Sequence, residues 1–69
     1  MERQYVMSTN IQSIGYNVED QILEIEFKNG GVYQYHGVPE LEYENIMMAG
    51  SHGTYFNEHI RNTYPHLRF

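Results

Sequence analysis

"ILEIEFKNGGVYQYHG", residues 22–37, is the stretch on which the fold turns. Its first half alternates Leu23, Ile25 and Phe27 with Glu24 and Glu26, the period of two expected of a strand with one buried and one wet face. "KNGG" supplies turn chemistry, and Val32 to Val38 reads as the returning strand. Loop length then decides which side chains share a face. A two-residue loop at Asn29-Gly30 opposes Phe27 to Val32, turns Tyr33 and Tyr35 outward beside Glu26 and Glu24, and drives Gln34 and His36 into the core. A three-residue loop, Lys28-Asn29-Gly30 with Gly30 in the left-handed position of a bulge, opposes Ile25 to Tyr33 and Leu23 to Tyr35. The second register is preferred, because burying Gln34 and His36 without partners costs about 1–3 kcal/mol each. It predicts that both tyrosine rings are mostly buried with Leu23, Ile25 and Phe27. Glu24, Glu26, Lys28, Gln34 and His36 are left facing solvent.

Toward the amino end, "IQSIGYNV" (residues 11–18) forms a first strand with Ile14, Tyr16 and Val18 on one parity, and "NVEDQ" turns it into the second. Toward the carboxyl end, Pro39 fits a first helical position, Glu40, Glu42 and Glu44 favour the positive end of the dipole, and Gly50 stops the helix. Ser51 caps a second helix whose stripe is Gly53, Phe56, Ile60 and Tyr64, the glycine admitting a close neighbour. The first helix is two-sided: Tyr43, Ile46 and Met47 line one side, Leu41 and Met48 nearly the opposite one. "YPHLRF" at the end reads as a short, loosely packed tail. The expected architecture is α+β, a three-stranded antiparallel meander followed by two short helices packed on one face, in a single domain over 1–69.

Sixty-nine residues allow one modest core, which buries only about 60% of the surface the unfolded chain exposes. Without cysteine there is no disulfide framework, thiolate metal site or thiol nucleophile. No apolar run approaches the roughly 20 residues of a membrane span, and the first ten residues lack the apolar stretch of a secretory signal, so no membrane partner and a cytoplasmic location are expected. Nine acidic residues against four Lys and Arg give a net charge of −5, which opposes phosphate backbones at long range. Generic RNA or DNA should therefore bind weakly unless Arg3, Lys28, Arg61 and Arg68, which come from four different elements, meet by folding.

The residues that could carry chemistry are few. His52 and His59 are seven apart, about 10.5 Å along a helix and too far to share one ion, and neither His36 nor His66 completes a ligand set, so no metal site is expected. Ser51 beside His52 serves better as a cap than as an activated hydroxyl, and no catalytic set is expected. The glycines of "NGG" and "AGSHG" lack the spacing of a phosphate loop, so no cofactor is expected. Asn57 and Arg61, four apart on one face of the second helix, are the candidate binding pair. Arg61 could hold a carboxylate or phosphate in bidentate fashion. The hydroxyls of Tyr33 and Tyr35 complete the candidate binding set.

Three stretches together, "VMSTNIQSIGYN", "LEIEFKNGGVYQYHGVP" and "SHGTYFNEHIRNTY", resemble the KTSC domain, a small module found at the carboxyl end of some lysyl-tRNA synthetases and as a free-standing bacterial or phage protein. The resemblance runs from about Val6 to Tyr64. It rests on Tyr33-Gln34-Tyr35, on Gly37-Val38-Pro39, and on Ser51-x-Gly53-x-Tyr55-Phe56-Asn57 followed by Ile60-Arg61; Asn17 stands where the family usually shows an aspartate. The resemblance implies no catalytic residue and, from the place beside a synthetase, an association with RNA. Three classes of function follow: an RNA-associated accessory domain, a self-associating interaction module forming a homodimer through Leu41 and Met48, and a binder of small ligands or nucleotides at an oligomer seam.

Overall fold

The computed structural model describes residues 1–69. One antiparallel sheet in the order β1-β2-β3-β4-β5 carries two helical segments on one face: β1 (Arg3–Tyr5), β2 (Ile11–Asn17), β3 (Ile22–Phe27), β4 (Val32–His36), α1 (Glu40–Met48), α2 (His52–Tyr55) with a π-helical turn (Phe56–Ile60), and β5 (His66–Arg68). The α+β class and the central meander are as expected, but the sheet has five strands, not three. The two additions are three-residue edge strands, and so short a strand shows almost no periodicity of its own.

The β3–β4 hairpin has the three-residue loop. Ile25 stands opposite Tyr33 and Leu23 opposite Tyr35. Gly30 lies at φ 97°, a conformation open to glycine, and the Asn29 side-chain oxygen accepts the Gly31 N–H at 2.9 Å. The inner face is therefore apolar: Ile14, Leu23 and Ile25 are fully buried and Tyr35 is 3% exposed, all packed with Ile46, Phe56 and Ile60 from the helical layer. Tyr33 is half-buried. A bulge between Ile11 and Ser13 returns Ile11 to the inner face despite its parity. Val18 falls in the turn after β2 and is exposed.

The outer face differs from the expected wet surface. β1 pairs with β2 at the sheet edge, and a Cβ on Gly15 would stand 2.5 Å from the Glu2 carbonyl oxygen, so only glycine lets β1 lie there. Arg3 pairs with Glu24, and its Nε donates to Ser13 Oγ at 3.0 Å. Gln34 donates to the second oxygen of Glu24 at 2.8 Å. Glu24 is thus 7% exposed rather than solvated, and Gln34 and His36 are half-buried rather than facing solvent, His36 Nε2 being buried with no hydrogen-bond partner. Burial pushes the Glu24 carboxyl up, but the hydrogen bonds from Gln34 and Arg3 and the Arg3 charge outweigh it and hold it below the ordinary range.

The helix ends also differ in detail. Pro39 is the residue before the first turn rather than in it, and α1 ends with Ala49 extended at ψ 143° rather than through a left-handed glycine at Gly50. The Ile46 carbonyl accepts instead from the Ala49 N–H and from His52 Nδ1–H at 2.7 Å. Ser51 caps α2 as expected, accepting the Thr54 N–H at 3.2 Å. Gly53 is not a close-approach position, since a Cβ there would meet nothing nearer than Ser8 Oγ at 4.0 Å. Glu42 of α1 accepts from the hydroxyls of Tyr55 and Tyr64, tying α1 to α2 and to the segment that leads into β5.

Candidate ligand-binding groove

Where the inner face of the β3–β5 end meets α2, the sheet and helix leave a groove of about 550 Å³. This lies within the range of pockets that take small ligands. Its floor is Phe27, Tyr33, Tyr35 and Phe56, packed edge to face: Phe27 on Tyr33 at 5.6 Å, Phe27 on Phe56 at 5.3 Å, and Tyr35 on Phe56 at 5.4 Å. Such crossed rings hold one another in place. The π-helical turn supplies Phe56 to the floor and Asn57 to the rim, and the Phe56 carbonyl accepts the Arg61 N–H at 3.0 Å, the five-residue step of that geometry.

All four candidate binding residues of the sequence reading come together here: Tyr33, Tyr35, Asn57 and Arg61 line the one groove. Tyr35 serves twice, as core ring and as groove wall. Burial, aided by the neighbouring Tyr33 phenol, pushes its hydroxyl above the usual tyrosine value, while the charge of Arg61 pulls it back. Tyr35 is therefore a protonated hydroxyl at neutral pH, with Arg61 near enough to be felt.

The sequence reading missed the rest of the rim. Asn10 is brought in by the β1–β2 loop, where Ser8 Oγ accepts the N–H groups of Asn10 and Ile11 at 3.3 and 3.2 Å and the Asn10 carbonyl accepts the Lys28 N–H at 2.8 Å. Lys28 and Asn29 come from the hairpin turn, Asn62 from the end of the helical segment, and His66 from β5. His66 stands opposite Tyr35 and Arg68 opposite Tyr33, so both face the groove side of the sheet, and the Arg68 guanidinium carbon lies 5.6 Å from the Tyr33 ring centre. The "loosely packed tail" is thus a strand. The alternation of His66 and Arg68 with Leu67 and Phe69, just after Pro65, is its only trace in the sequence, and three residues are too few to mark a strand.

Charge is distributed accordingly. Nine carboxylates belong to the chain, yet none lines the groove, whereas Lys28 and Arg61 do and Arg68 covers one of its rings. Folding thus brings Lys28 and Arg61 to the groove and Arg68 to the Tyr33 ring beside it; Arg3 is spent on Glu24 at the outer face. A second hollow of about 350 Å³ between the β1–β2 loop and the start of α2 shares Thr9, Asn10 and Asn57 with the groove and continues it. No three His, Asp or Glu side chains gather in a metal-holding cluster, and no helix is long and apolar enough to cross a membrane.

Comparison with known proteins places this geometry. The KTSC domain family matches residues 7–64. The chain belongs to the KTSC domain family. It is 41% identical to a KTSC domain protein from Yersinia pestis whose crystal structure superposes with a TM-score of 0.96, over 99% of this chain and 96% of that one. A protein of Stutzerimonas stutzeri is 40% identical over 58 residues, 84% of this chain and 82% of its own. A lysine–tRNA ligase of Nostoc punctiforme is 37% identical over 54 residues, which cover 78% of this chain but 10% of the ligase. The KTSC domain therefore occurs both nearly alone and as a small part of a synthetase.

Proposed function

We propose that this KTSC domain is a non-catalytic binding module whose ligand seat is the aromatic groove, and that its ligand is anionic, with RNA the first candidate. The observation that carries this reading is the lining itself: an aromatic floor with Lys28 and Arg61 at its edge and no carboxylate, in a chain of net charge −5. Partly open aromatic rings beside cations are what unpaired nucleic acid requires, and Phe27 and Tyr33 are the half-buried rings of the floor, Tyr35 and Phe56 being core. The relative named as a lysine–tRNA ligase adds support for RNA. A non-catalytic role is supported by how the candidate groups are used: Ser51 Oγ is bonded to Thr54, and Glu42 is held by two tyrosine hydroxyls. A cytoplasmic location accords with a synthetase relative.

The test is a titration of the isolated domain with transfer RNA and with single strands at two salt concentrations. Three cations predict a Kd of micromolar order at low salt and a log–log salt slope of about −2 for a single strand, at about 0.7 per neutralised phosphate. Arg61→Ala should weaken binding. Absence of binding at low salt, or binding unchanged by Arg61→Ala, would remove the groove as the seat.

Self-association is the second reading, favoured by one observation: Leu41 and Met48 are 64% and 79% exposed on the outward side of α1. Two side chains are little against the roughly 800 Å² per partner of a standard interface.

A further inference from the structure

Half of the polar residues that line the groove are asparagines. Asn10, Asn29, Asn57 and Asn62 all line it, against two cations, Lys28 and Arg61. A site for phosphate alone needs donors and positive charge; the carbonyl half of each amide contributes nothing to it. An amide instead matches a group that presents a donor and an acceptor side by side, as the edge of a nucleobase does. One amide is already oriented. Asn29 Oδ1 accepts the Gly31 N–H at 2.9 Å, which leaves its NH₂ as the free end. The Asn10 backbone is fixed through its N–H to Ser8 Oγ and its carbonyl to Lys28, so the loop that brings Asn10 to the groove is a built one.

Shape points the same way. A groove of about 550 Å³ has room for an extruded base with its sugar but cannot admit the convex surface of a duplex. The half-buried Tyr33 ring, flanked by His66 at 5.6 Å and the Arg68 guanidinium at 5.6 Å, forms a mixed ring-and-cation wall at the β5 side. Arg61 and Lys28 stand at the rim for phosphates.

We propose that the groove reads unpaired bases of a single-stranded nucleic acid, using the rim asparagines for the base edge and Lys28, Arg61 and Arg68 for the backbone. This rests on the reading of the groove as the ligand seat and goes beyond it by making the site base-selective. An unpaired base presents an adjacent donor and acceptor along its free edge, which an asparagine amide satisfies with two hydrogen bonds.

The experiment is fluorescence anisotropy or calorimetry with oligoribonucleotides A6, C6 and U6, with AMP, and with inorganic polyphosphate as the base-free anion. At least one of the hexamers should bind about fivefold tighter than polyphosphate, and A6 should bind tighter than AMP. Asn57→Ala should flatten the preference while leaving polyphosphate binding unchanged, whereas Arg61→Ala should weaken every ligand. Asn57 is exposed, so its truncation leaves the fold intact, and Asn10→Ala, whose backbone bonds persist, is the second variant. Equal binding of A6, C6, U6 and polyphosphate would overturn base reading while leaving an anion-binding groove. AMP binding as tightly as A6 would overturn the strand reading. Failure of all five to bind would overturn both the base reading and the seat itself.

Discussion

Truncating Tyr35 separates its role in the core from its role in the groove. The ring is 3% exposed, stands opposite Leu23, and meets Phe56 at 5.4 Å and His66 at 5.2 Å. Removing such a ring leaves a cavity whose lining loses its partners, and Tyr35→Ala should destabilise by about 3–5 kcal/mol, as for other large aromatic truncations. A domain of 69 residues has only about 3–10 kcal/mol in total. Thermal denaturation followed by circular dichroism should therefore show a Tm lowered by at least about 12 °C, or no cooperative transition. Tyr35→Phe is the control. The Tyr35 hydroxyl is not a buried group lacking a partner, and the residue lines the groove, so its removal should change stability by less than about 0.5 kcal/mol. An unchanged Tm for Tyr35→Ala would refute the register, and a large loss for Tyr35→Phe would refute the view that the hydroxyl opens onto the groove.

Tyr16→Phe should behave oppositely to Tyr35→Phe, because the Tyr16 hydroxyl donates to the Val38 carbonyl at 2.5 Å and its ring stacks on Tyr43; a loss of about 1 kcal/mol in chemical denaturation is expected. Glu24 makes the fold acid-sensitive: its carboxyl lies below the unfolded value, so its contribution is complete above the ordinary carboxylate range and is lost as pH falls through the lowered folded value. Glu24→Gln should destabilise by about 1–3 kcal/mol at pH 7 and flatten the fall in Tm below about pH 4; an unaltered acid limb would contradict the Arg3–Glu24–Gln34 arrangement. Sedimentation at tens of micromolar should give the 8.2 kDa monomer, and a species of twice that mass abolished by Leu41→Glu would restore self-association through α1.

The parts of this fold legible in sequence are those fixed by local pattern. The alternation over 22–27 and the three-residue turn set the register of Leu23, Ile25, Tyr33 and Tyr35, and Ser51 announced its helix. What escaped depends on partners distant in the chain. β1 is recognisable only once Gly15 leaves room for it, and Arg3 then changes Glu24 from a surface charge into a buried one. Asn57 and Arg61 could be paired by helical spacing, and the tyrosines by strand parity. The lining that gives the groove its character could not: Asn10, Asn29 and Asn62 lie in loops or at an element's end, and His66 joins only because β5 returns beside β4. Net charge likewise says nothing of where charges lie: Lys28 and Arg61 line the groove and no carboxylate does.

Backbone amide shift mapping shows directly whether the aromatic groove is the ligand seat. The ¹⁵N-labelled domain would be titrated with A6 at low salt, with signals assigned residue by residue. The predicted result is a contiguous set of fast-exchange shifts at Asn10, Asn29, Tyr33, Asn57, Arg61 and His66, all reduced in Arg61→Ala. Shifts confined to α1 around Leu41 and Met48, to the Arg3–Glu24 face, or to no surface at all would contradict it.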